Sequence, residues 1–167
     1  TETNYFLKKL KVKKITSIGN LKFIDHDNFE TNQADKKLFS QFRKYKTFMA
    51  ASTHNTEELF AAKTHILLKK KIKNIITIII PRHINRVNQI ISQINELGLN
   101  VISRRSNKKK LDNIDIYLVD TFGESKKFYK FATTVFLGGS IVKRGGQNPL
   151  EPARFGAKIL HGPNINN

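Results

Sequence analysis

The residues best suited to chemistry lie between Gly138 and Glu151, in GGSIVKRGGQNPLE, where two glycine pairs flank Lys143 and Arg144 ahead of Asn148, Pro149 and Glu151. Glycine lets backbone N–H groups approach an anion with no Cβ in the way, and it reaches positive φ at no steric cost. Asn148 and Glu151 have capping-box spacing, with Pro149 at the first helical position. A helix start of that kind directs free N–H groups and the positive end of the helix dipole at a phosphate. The Glu151 carboxylate can also accept hydrogen bonds from both hydroxyls of a ribose. A loop of that composition suits a diphosphate or a charged sugar.

Two other stretches repeat the pattern. Asn55 and Glu58 in STHNTEE, and Thr121 and Glu124 around Gly123 in DTFGE, have the same spacing. For any one pair a plain helix cap, worth about 0.5–2 kcal/mol, is the simpler reading, but it leaves the paired glycines unexplained. Arg82 in PRHINR can fork onto a phosphate or stand as an ordinary surface arginine. His54 and His83 can serve as acids or phosphate donors, although a lone histidine is more often structural. His26, His65 and His161 have no metal-ligand spacing with them, so neither a metal nor a cofactor is expected. G-x-G-x-x-G after the first strand, the P-loop pattern and G-x-S-x-G are all missing, which weakens dinucleotide, P-loop and hydrolase readings. Without cysteine there is no disulfide or thiolate chemistry.

These residues must be positioned by the elements around them. Leu38, Phe39, Phe42 and Tyr45 share a helical face ahead of the apolar run Phe48 to Ala51. A helix is expected over Glu57 to Lys71, then a β-branched run from Ile75 to Ile80. Val87, Ile90, Ile91, Ile94 and Leu97 predict a helix capped by Gly98. Asn100 to Ser103, Ile116 to Val119, Val135 to Leu137 and Lys158 to Leu160 complete six apolar runs, with helices expected from about Phe122 to Ala132 and from Pro149 to Phe155. The runs are continuous rather than alternating, as in strands covered on both faces. With right-handed crossovers this predicts an α/β doubly wound parallel sheet, Rossmann-like, in the order 3-2-1-4-5-6, whose loops at the carboxyl ends of the strands hold the ligand. Residues 1–34 read as the end of a preceding domain and a connector, with a short strand at Gly19 to Ile24. Residues 35–167 read as one nucleotide-sugar domain, cut from a longer protein at both ends. No apolar run is long enough to span a bilayer.

The net charge of +17 is concentrated in Lys8 to Lys14, Lys69 to Lys73, Arg104 to Lys110 and Lys126 to Lys130. Solvated surface lysines, an anionic membrane face and nucleic acid are the three readings, and the clusters lack the aromatic interleaving that stacks bases apart from Phe128 and Tyr129.

Taken together, GNLKF, ASTHNTEE, IIPRHINR, VDTFGE and LGGSIVKRGGQNPLEPARFG with the later GPN resemble the C-terminal half of the 3-deoxy-D-manno-octulosonic acid (Kdo) transferases of lipopolysaccharide assembly, from Gly19 to Pro163. The resemblance implies the C-terminal domain of a GT-B glycosyltransferase that moves Kdo from CMP-Kdo to a lipid A precursor at the cytoplasmic face of the bacterial inner membrane. It implies inversion at the anomeric centre without a metal. Acceptor site, catalytic carboxylate and membrane anchor would belong to the N-terminal domain of the same protein, so no catalytic residue is expected in this chain. Carried over by motif, Arg82 and the Gly123-Glu124 helix start would meet the nucleotide phosphate and its surroundings. Gly138, Gly139 and Ser140 would line the donor pocket, and Asn148 with Glu151 would hold the ribose and phosphate end. The partners implied are the CMP-Kdo donor, the lipid A precursor and the anionic membrane surface; nucleic acid is not among them. Three positions depart from the family pattern: Thr56 where glycine is usual, Ile84-Asn85 in place of Pro-Glu, and Gln147 in place of His. A UDP-sugar transferase of the same fold and a basic nucleic-acid-binding domain are the alternatives.

Overall fold

Continuous apolar strands need cover on both faces, and the sheet has it. The computed structural model describes residues 2–16, 33–106 and 110–166. The expected strand at Gly19 to Ile24, most of the connector, and part of the basic loop after Arg104 lie outside the described residues.

Helix α1 (Glu2–Lys9) precedes that gap, and α2 (Gln33–Phe42) opens the continuous fold. Then come β1 (Lys46–Thr53), α3 (Glu57–Lys69), β2 (Ile75–Pro81), a 3-10 turn at Ile84–Arg86 and α4 (Val87–Glu96). They are followed by β3 (Val101–Ser103), β4 (Ile116–Leu118), α5 (Ser125–Tyr129), β5 (Thr134–Leu137), α6 (Leu150–Arg154) and β6 (Lys158–His161). All six strands are parallel. Their side chains alternate between two cores. Met49, Ala51, Ile76, Ile78 and Tyr117 pack against α2 and α5 through Phe39, Phe42 and Phe128. Phe48, Ala50, Ile79 and Leu118 pack against α3 and α4 through Ala61, Ala62, Ile90 and Ile94. Gly98, at φ 73°, ends α4 as its helical phase predicts.

The strand order is β3-β4-β2-β1-β5-β6, which corrects the expected 3-2-1-4-5-6. Burial gives the reason. All three residues of β4 are buried, so it needs neighbours on both sides, whereas Val101 and Ser103 of β3 are half-exposed and suit a short edge. β4 therefore inserts between β3 and β2, and β5 rather than β4 lies beside β1. From β1 the chain runs through α3 to β2 on one side, and from β5 it runs through α6 to β6 on the other. The place where an open α/β sheet holds a ligand is thus the crevice between the ends of β1 and β5.

The α5 expectation also shortens. Phe122 is fully in solvent, Gly123 turns at φ 75°, and the helix begins only at Ser125.

Candidate nucleotide-sugar site

The two loops that meet at the crevice are joined by one carboxylate. Glu57, in the first turn of α3, is fully buried. Its Oε2 accepts the N–H groups of His54 at 2.9 Å and Gly139 at 2.7 Å, and its Oε1 accepts those of Ile141 at 3.0 Å and Val142 at 3.5 Å. A buried carboxylate is tolerable only with such donors. The arrangement also means that the glycine loop's amides already have an anion, supplied by the protein itself.

The glycines follow from that crossing. A Cβ on Gly138 would sit 2.4 Å from the Ser52 carbonyl oxygen and 2.6 Å from Thr53 Cα, so only glycine lets β5 end against the end of β1. Gly139 turns at φ 69° with the His54 ring and Arg144 Cβ each 3.4 Å from where its Cβ would be. Ser140 is fully buried; its hydroxyl donates to the Leu137 carbonyl and accepts the Gly162 N–H at 2.8 Å. Asn164 closes the same junction, its side-chain amide donating to the carbonyls of Ser140 and Ile141 at 3.1 and 3.0 Å. Gly138 and Ser140 therefore tie together the exits of β1, β5 and β6. A small cavity of about 190 Å³ opens beside them, lined by Ser140, Gly145, Gly146, Gln147, Pro149 and His161 among others.

The expected capping boxes do not form. Thr56 is the N-cap of α3 and makes no side-chain cap bond, while Asn55 and Glu58 both reach Arg86: Glu58 accepts from it at 3.1 and 3.4 Å and Asn55 at 2.9 Å. Thr121 donates its hydroxyl to the Glu124 carboxylate, and Glu124 itself occupies the N-cap of α5. At α6 the Asn148 side chain caps the Leu150 N–H at 3.1 Å, with Pro149 one place earlier than expected, at the N-cap. The Glu151 carboxylate is half-exposed and near enough to Tyr129 to help burial raise that phenol.

The structure brings some predicted site residues together and separates others. Arg82 leaves β2 with its N–H on the Thr53 carbonyl at 2.9 Å, which sets its backbone beside the end of β1, and its side chain is exposed. Gly138, Gly139 and Ser140 share that crevice, and Asn148 and Glu151 stand where the same loop enters α6. Gly123 and Glu124 do not join them. They follow β4, two strands from β1, which is about 10 Å at ordinary strand spacing. There Glu124 accepts from Arg104 at 3.1 and 3.2 Å and from Lys127 at 2.9 Å, and both cations also bond buried Asp35 at the start of α2. Burial opposes ionisation of Glu124, but hydrogen bonds from Arg104, Thr121 and Lys127 outweigh it and hold the carboxyl at about 2.

Two residues that stood apart in the sequence now meet. The rings of His54 and His83 lie edge to face, 5.6 Å between centroids, at the mouth of the crevice. Glu57 escaped the sequence reading altogether, although a glutamate one helical turn beyond a strand, paired with a distant Gly-Gly, was the available signal.

No family model matches the chain. It is 32% identical over 150 residues to the 3-deoxy-D-manno-octulosonic acid transferase of Haemophilus influenzae, covering 89% of this chain and 35% of that protein. With the enzyme of the same description from Rickettsia felis it shares 34% over 158 residues, or 94% of this chain and 34% of the relative. Among solved structures, the C-terminal CMP-Kdo binding domain of WaaA from Acinetobacter baumannii superposes with a TM-score of 0.68 at 24% identity, covering 80% of this chain and 72% of that one, and so shares the fold. The chain spans about a third of the length of these relatives, and over that stretch it is similar to the 3-deoxy-D-manno-octulosonic acid transferases.

Proposed function

We propose that the chain is the donor-binding domain of a glycosyltransferase that takes Kdo from CMP-Kdo and delivers it to a lipid A precursor at the cytoplasmic face of the inner membrane. The observation that carries this reading is the crevice between β1 and β5, walled by a glycine loop that Glu57 holds in place, in a chain similar to these transferases. Arg82 is assigned to the phosphate, the Gly139 turn to the wall of the donor pocket, and Asn148 with Glu151 to the ribose. Gly123 and Glu124 are assigned to fixing the neighbouring edge rather than to touching the donor. The acceptor site, the base and the membrane anchor belong to the partner domain, and the exposed lysines favour its anionic lipid surface.

In the complete enzyme the acceptor hydroxyl, deprotonated by that base, attacks the anomeric carbon of Kdo, and CMP leaves with the bonding electrons. Cationic groups fixed around the departing phosphate lower the barrier because they need no reorganisation as charge develops. NMR titration of the chain with CMP and UDP tests the assignment. CMP should shift amides from Gly139 to Glu151 at concentrations where UDP does not, and Glu151→Ala should weaken the effect about tenfold, the loss of one charged hydrogen-bonding group. A preference for UDP would instead favour a UDP-sugar transferase.

A further inference from the structure

The glycine loop cannot be the main anion receptor, because the amides of Gly139, Ile141 and Val142 already bond Glu57. Whatever neutralises the donor must come from side chains around the crevice. His54 and His83 are the pair in place: their rings are 5.6 Å apart, and neither makes a ring hydrogen bond among the described residues. The His54 ring packs over the Gly139 turn, its Cδ2 and Nε2 each 3.4 Å from where a Cβ would stand. Arg82 adjoins His83 in sequence and meets the β1 loop through its backbone. The charged groups facing His54 are Glu57 and Glu58 from α3, His83 from the exit of β2 and Arg144 from the loop after β5. Burial first, and then the neighbouring His83 and Arg144, hold His54 below its ordinary value against the pull of the two glutamates.

We propose that His54 and His83 form a paired-imidazole clamp for the anionic group of the sugar nucleotide, taking up a proton as the anion enters. The proposal rests on the donor-domain reading. An anion between the rings relieves their mutual repulsion and favours the imidazolium forms, so binding and protonation are linked. The acidic group can be the nucleotide phosphodiester or the carboxylate of the sugar, and the two are separable.

The probe for the first is the methyl ester of CMP, whose single phosphate charge does not change near neutrality; the probe for the second is the free sugar acid. Histidine ring signals of the chain are followed against pH with and without each probe, and the buried ring of His65 at the opposite edge reports that the fold is intact. The ring pKa values of His54 and His83 should rise by about one unit when the responsible probe is bound, and affinity should fall about tenfold from about pH 6 to about pH 8. His54→Gln and His83→Gln should each flatten that dependence while leaving the His65 signal in place. If the CMP ester shifts the Asn148 and Glu151 amides but neither probe moves the two rings, the clamp is overturned and the donor domain stands. If neither probe moves any signal, the donor-domain reading falls and the clamp with it.

Discussion

The sheet carries a histidine beside a carboxylate at each of its ends, and the two arrangements differ in what is left over. At the amino ends of the strands, buried His65 from α3 has Nδ1 2.9 Å from the Thr77 hydroxyl and Nε2 3.2 Å from Asp115 Oδ1. Because a carboxylate only accepts, Nε2 carries the hydrogen and Nδ1 accepts from Thr77. Asp115 also accepts from Lys69 and from the Asn100 N–H at 2.9 Å. Every group in that cluster has a partner, and its result is to lock α3 to β2 and the start of β4. At the carboxyl ends Glu57 does equivalent work between two loops, but the rings of His54 and His83 remain free to engage something else. A polar cluster with every valence filled is part of the fold; one with imidazoles left facing a crevice can hold a ligand.

Removing the carboxylate that the two ends share as a device should have the largest effect at the crevice. Glu57→Ala leaves the buried N–H of Gly139 and the part-buried N–H of Ile141 without acceptors, at a cost of about 1–3 kcal/mol for the first and less for the second, so a loss of about 3 kcal/mol is expected. Glu57→Gln should lose about half as much, because its amide oxygen can still accept one pair of donors while its NH₂ opposes the other. Both variants should lose CMP-induced shifts. Thermal unfolding with CMP titration checks this; a Glu57→Ala domain of undiminished stability would mean the loop is held elsewhere.

Asp115→Asn at the opposite end should cost about 2 kcal/mol and leave CMP affinity within about twofold, since it breaks a satisfied network far from the crevice. Acid should reproduce part of that loss. Burial lowers His65 below its ordinary 6.5, and for Asp115 the bonds from Lys69, Asn100 and His65 overcome burial to lower it below 3.8. Both groups bind fewer protons folded than unfolded, so their stabilisation is complete above those ordinary values and declines as pH falls through and below them. Urea midpoints should therefore fall from about pH 6.5 downwards, in a His65→Gln variant less steeply; an unchanged slope would exclude His65 as a contributor.

How much of this was legible follows from the range over which each interaction acts. Helical phase and β-branched runs are local, and they place α3, α4 and β2 nearly to the residue and the middle of β1. Strand order is not local: β4 sits inside the sheet because all its side chains are buried, which three residues of sequence do not announce. Capping-box spacing misled for the same reason. Glu58 and Asn55 share a partner 28 and 31 positions from them in Arg86, and Glu57 reaches 82 positions along to Gly139. From sequence the paired glycines point to close approach by an anion, whereas what comes close to Gly138 is the backbone of β1.

Glu124 provides a smaller test of the same distinction. Its partners are Arg104, Lys127 and Thr121, so it resembles the closed cluster around Asp115 although it lies at the ligand-facing edge. Glu124→Gln should cost about 1–2 kcal/mol, with CMP affinity unchanged within about twofold. The carboxyl is held at about 2, below its ordinary 4.5, so the wild-type contribution is full above 4.5 and is lost as pH falls towards 2. A tenfold loss of CMP affinity at unchanged stability would return Glu124 to the donor site.

The smallest expected change lies one residue before Glu57. Thr56 has φ 79°, a left-handed conformation that a β-branched residue adopts only under strain, and its hydroxyl makes no capping bond that would offset it. The family resemblance places glycine here, and the backbone supplies the reason. Thr56→Gly removes the strain but frees the unfolded chain, so the net gain should be about 0.5–1 kcal/mol, a rise of a few degrees in melting temperature. Asn113, also left-handed at φ 59°, is a fitting control, because asparagine tolerates that region and its replacement by glycine should gain little. If Thr56→Gly instead lowers stability while leaving the CMP response intact, the threonine contributes to holding α3 in place. If it weakens CMP binding, the turn that aims Glu57 at the glycine loop depends on the stiffness of Thr56, and the crevice is shaped from α3 as much as from the loop.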